Sequence, residues 1–79
     1  MLKLKNIKRT DHYIEADYHP ENGVEHGRIV IDIISLNTVF EERSPSEPVY
    51  GEDIVHAKSA LKKLISAVTL PEEKLVMWY

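Results

Sequence analysis

Cysteine is absent from this 79-residue chain, and glycine, tryptophan and phenylalanine are scarce. Without cysteine there is no disulfide framework, no thiolate nucleophile and no thiolate-bound zinc. The glycines stand apart at 23, 27 and 51, so they assemble no glycine-rich phosphate loop. Apolar runs last only a few residues, far short of the roughly 20 that span a bilayer. No charged segment leading into an apolar one opens the chain, so no signal peptide is read and the expected compartment is the cytoplasm. A G-x-S-x-G elbow, an H-E-x-x-H pair and a carboxylate-rich metal loop are all missing. The net charge is −3, with acids and bases mixed, whereas a domain that grips nucleic acid normally presents a basic face.

Length sets a further bound. Residues 1–79 make one small domain, and a chain of this size buries only about 60% of its unfolded surface. A ligand pocket of roughly 300–1,000 Å³ would consume much of that core. The expectation is therefore a non-enzymatic protein with no cofactor and no small-molecule substrate.

What is present is a β-hairpin. One arm covers residues 12–18, and the other runs from about 25 to 35. Alternation puts His12, Ile14, Ala16 and Tyr18 on one face and Tyr13, Glu15, Asp17 and His19 on the other. On the return arm Ile29, Ile31 and Ile33 oppose Arg28, Val30, Asp32 and Ile34. Two turns fit: a four-residue loop over 20–23, and a two-residue type I′ turn at Asn22-Gly23. Their registers differ by two residues, so both give the same faces. The missing N–H of Pro20 favours the four-residue loop.

Before the hairpin, Leu2 and Leu4 alternate with lysines, but Ile7 has the wrong parity to join them. A β-bulge near Lys5-Asn6 would restore all three to one face. After it, Leu36-Asn37 marks a turn into a strand over 38–42, with Phe40 expected in the core near Ile33. Pro45 and Pro48 place a mobile surface loop at 44–51. From Glu52 the period becomes helical, and Ile54, Ala57, Leu61, Leu64, Ile65 and Val68 form one stripe. Pro71 is read as the stop, and the apolar run 74–79 as a closing strand. The expected fold is two-layer α+β: an antiparallel β-meander, ordered β-β-β-β-α-β, with one amphipathic helix packed on one face.

Three groups of residues are candidate sites. His19, His26 and Asp17 flank the hairpin turn and could hold Zn²⁺ or Ni²⁺, although solvated turn histidines are the commoner case. Lys3, Lys5, Lys8, Arg9 and Arg28, with Tyr13 for stacking, could serve single-stranded nucleic acid. Against this, the bulge places the lysines beside Glu15 and Asp17, which neutralise that face. His12 reads as a packed or capping residue, and Glu15, Asp17, Asp32 and Glu41 as a solvated outward set. The third group carries the leading expectation. Tyr13, Val30, Ile34 and Val39 point away from the helix, and Trp78 and Tyr79 would lie on a closing edge. Apolar residues on a face with no helix suit a protein partner, in the simplest form a homodimer.

Overall fold

The structure, a computed structural model, describes residues 1–21, 25–46 and 52–77. Its elements are β1 (Leu2–Arg9), β2 (Tyr13–Pro20), β3 (Gly27–Asp32), β4 (Thr38–Glu42), α1 (Glu52–Lys63) and β5 (Lys74–Val76). The strands form one five-stranded antiparallel sheet in the order β4-β3-β2-β1-β5. The helix covers one face, which is the expected α+β plan. After the β1–β4 meander the chain passes through α1 and returns to the opposite edge, where β5 pairs with β1.

The bulge in β1 is present. Lys5 opposes Asp17 but Lys8 opposes Glu15, so β1 holds one extra residue. Asn6 absorbs it in the left-handed region at φ 54°, which asparagine tolerates better than most residues. Leu2, Leu4 and Ile7 are all buried as a result.

The β2–β3 ladder pairs Ile14 with Ile31, Ala16 with Ile29 and Tyr18 with Gly27. This is the register of a two-residue turn at 22–23, whereas the favoured four-residue loop would set Tyr18 against Glu25. The turn residues 22–24 lie outside the described residues. Pro20 is no obstacle to this register, because the β2–β3 ladder ends at Tyr18↔Gly27 and asks no N–H of it. On the β1 side, the Glu21 N–H donates to the Met1 carbonyl (3.1 Å) beside the Leu2↔Pro20 pair. Gly27 is fixed by packing, because a Cβ there would collide with the Tyr18 ring and the Glu42 carbonyl. That ring continues to the chain after β4, where the Ser44 N–H donates to the Tyr18 hydroxyl (2.9 Å). Ser44 is itself buried, and its hydroxyl donates to the Glu25 carbonyl (2.7 Å), so the start of the 44–51 segment is anchored. Residues 47–51 lie outside the described residues.

Four expectations are corrected. First, α1 ends at Lys63, well before Pro71, and Val68 is 99% exposed. The last turn tightens through bonds from Leu64 N–H to Leu61 O and from Ile65 N–H to Lys62 O. One guanidinium nitrogen of Arg9 then donates to the carbonyls of Leu64 (3.0 Å), Ile65 (3.0 Å) and Ala67 (2.8 Å). Arg9 thus ties the turn that follows the helix to β1, and it is an anchor rather than part of a basic patch. Second, β3 stops at Asp32, whose Oδ1 accepts the Ile34 and Ser35 N–H groups (2.9 Å each). This side-chain turn takes Ile34 out of the strand, leaving it 85% exposed.

Third, β4 carries a register shift. Ile31 opposes Thr38 while Val30 opposes Phe40, so Val39 is the extra residue. The shift turns Phe40 outward, not into the core, and turns Glu41 toward the helix, where Lys58 donates to its carboxylate. Fourth, His12 is exposed ahead of β2, and its carbonyl accepts the Ile33 N–H (2.9 Å).

Candidate interaction surface on the outer sheet face

Strand alternation and register place a defined set of side chains on the sheet face away from α1. Lys5 (β1), Asp17 (β2), Arg28 (β3) and Glu42 (β4) are consecutive partners across four strands. They form a single row whose charges alternate. The next row is Lys8, Glu15, Val30 and Phe40. Tyr13 opposes Asp32 and lies diagonal to Val30, a spacing that long side chains bridge.

The centre of this face is rigidly held. Asp17 is buried, with Oδ2 accepting from Asn6 Nδ2 (2.8 Å) and Oδ1 from Arg28 Nη1 (2.9 Å). Burial alone would raise its pKa. The hydrogen bonds from Asn6 and Arg28, with the nearby charges of His26 and Arg28, outweigh that and hold the carboxyl below its ordinary 3.8. Arg28 also reaches Glu15 through Nη2 (3.0 Å), and its bond to Asp17 raises its own pKa. The bulge is therefore electrostatic as well as geometric, since the residue that absorbs the extra length also donates to the buried carboxylate.

This arrangement changes the account of the lysines. Lys5 and Lys8 do face Asp17 and Glu15, as expected. Both carboxylates, however, are engaged by Arg28. Among the described residues, Lys3, Lys5 and Lys8 make no ion pair within 4.0 Å. Of the residues considered for nucleic acid, Lys3 and Lys8 remain available on the surface, and Arg28 is committed to internal pairs.

The turn histidines meet. Rings of His19 and His26 stack with centroids 5.2 Å apart and planes 29° from parallel. Burial lowers the pKa of His19, and Lys5 and His26 add to that effect. His26 Nε2 stands 4.0 Å from Asp17 Oδ1, but both Asp17 oxygens already accept hydrogen bonds. Among the described residues, no three histidine, aspartate or glutamate side chains are grouped to hold a metal ion.

The apolar part of the face differs from the expected set. Tyr13 is 43% exposed and Val30 half-buried, both on the outer face. Val39 and Ile34 are exposed, but at the bulge and the β3–β4 turn rather than in the strand face. Phe40, at 47% exposure, joins Val30 as the residue sequence reasoning missed. Trp78 and Tyr79 lie outside the described residues. No helix among the described residues is long and apolar enough to cross a membrane. No family model, curated protein or solved structure matches the chain.

Proposed function

We propose that this protein is a non-enzymatic interaction module that buries its outer sheet face against a protein partner. The supporting observation is the Val30–Phe40 pair, with Tyr13 diagonal to it, on the face that α1 leaves uncovered. A ring as exposed as Phe40 gains apolar contact only from outside the monomer. The partner meets the face rather than the edge. The β4 edge carries a bulge followed by Glu41 and Glu42, features that discourage strand addition.

The test is site-specific photo-cross-linking in cells that express the protein. A photoreactive residue at Phe40 should give one discrete adduct, and the same residue at the exposed Val55 of α1 should not. Equal labelling from both positions would reject the outer face as a binding surface.

A further inference from the structure

We infer that the partner is a second copy of this chain, packed sheet to sheet about a two-fold axis parallel to the strands and lying between β2 and β3. This rests on the outer face being an interaction surface, and it derives from the Lys5–Asp17–Arg28–Glu42 row. Read from β1 to β4 the row runs plus, minus, plus, minus; read backwards it runs minus, plus, minus, plus. A two-fold axis through its middle lays each residue over the one at the mirror position of the other copy. Lys5 then faces Glu42 of the second copy, twice over, while the internal Asp17–Arg28 pair of one copy lies reversed over that of the other, opposite charge above opposite charge. Self-complementarity of this kind is what a two-fold interface requires.

In the neighbouring row the same axis brings Lys8 over Phe40 of the second copy, where an ammonium can sit on the ring face and its stem can cover apolar surface. It also brings Glu15, whose charge Arg28 already holds, over Val30. An axis perpendicular to the strands would instead stack β1 on β1 and bring Lys3, Lys5 and Lys8 against their own copies, so it is disfavoured. The chain's charge of −3 argues against a polyanion on the same lysines.

Size sets the strength. The four strands that overlap, β1 to β4, at about 4.8 Å spacing and about 3.3 Å per residue along them, give a face of roughly 400 Å² per copy. Two such faces bury about 800 Å², the size of a transient contact rather than of a stable dimer. The dimer is therefore weak, reversible and sensitive to salt.

The test is a charge exchange followed by sedimentation equilibrium at micromolar concentration and low salt, with thermal melts to confirm folding. Lys5→Glu alone places glutamate over Glu42, and Glu42→Lys alone places lysine over Lys5. Each should weaken dimerisation by roughly tenfold or more. Their equimolar mixture should restore it, because in the mixed dimer every contact is again between opposite charges. A mixture no tighter than its components overturns the arrangement. Should Lys5→Glu fail to fold, the wild type decides the matter: dimerisation that weakens as salt rises supports the charge row, and salt-independent dimerisation overturns it. A wild type that stays monomeric while Phe40 still cross-links to a different protein removes the second copy and leaves the interaction surface standing. A monomer that binds a labelled single-stranded oligonucleotide overturns the second copy in favour of nucleic acid.

Discussion

The two faces of this sheet are built from the same strands by alternation, yet they are organised on opposite terms. On the helix side, Leu2, Leu4, Ile14, Ala16, Tyr18, Ile29 and Ile31 are each at most 1% exposed. On the other side a row of alternating charge lies beside Val30 and Phe40, and Asp17 is buried only because three groups support it. The inner face is satisfied within the monomer, by α1 and by Leu64, Ile65, Ala67 and Leu70 of the segment after it. The outer face satisfies its centre internally and leaves its margins, the β1 lysines and Phe40, unsatisfied. Stability resides in the first face, and recognition is available to the second.

The largest effect belongs to the inner face. Ile31→Ala should cost about 2–5 kcal/mol, seen as a fall in the urea midpoint with an unchanged slope. Gly27→Ala, where the Tyr18 ring crosses the strand, should cost about 1–3 kcal/mol through overpacking, measured the same way.

A smaller effect comes from the buried centre of the outer face. The folded pKa of Asp17 lies below its ordinary 3.8, so the ionised carboxylate stabilises the fold fully above that value. Its contribution is lost as pH falls further, through the folded pKa. Urea midpoints measured down a series of acidic pH values should show a steeper decline for wild type than for Asp17→Asn. Parallel curves would mean that this carboxylate adds nothing. The smallest effect belongs to the outer margin: Phe40→Ser should change monomer stability by no more than about 0.5 kcal/mol. A loss comparable to that of Ile31→Ala would erase the distinction between the faces.

Much of this division was legible in the residues. The parity of Leu2, Leu4 and Ile7 demanded a bulge, and the hairpin faces were independent of turn length because the candidate registers differed by two. Other parts were not legible, for identifiable reasons. In β4, Val39 and Phe40 are adjacent, so either phase of the strand places one apolar residue inward, and no local signal marks the register shift. The stop of α1 was hidden because the apolar period continues to Val68, while Arg9, which holds the chain just past the helix, is 55–58 residues away in sequence. The charge row emerged only from the pairing of four strands, since Lys5, Asp17, Arg28 and Glu42 show no spacing that one segment would reveal.

The Arg9 contact also bears on how the molecule comes apart. The carbonyls of Leu64, Ile65 and Ala67, in the turn that follows α1, find their donor in the first strand, so that turn loses its anchor when the strand departs. Such a closure between distant parts of the chain must form late relative to local contacts. It also ties helix and sheet into a single cooperative unit. Amide exchange in residues 64–67 and in β1 should consequently share one opening event, and removing the first strand would free the chain that leaves the helix as well as cost the sheet a neighbour.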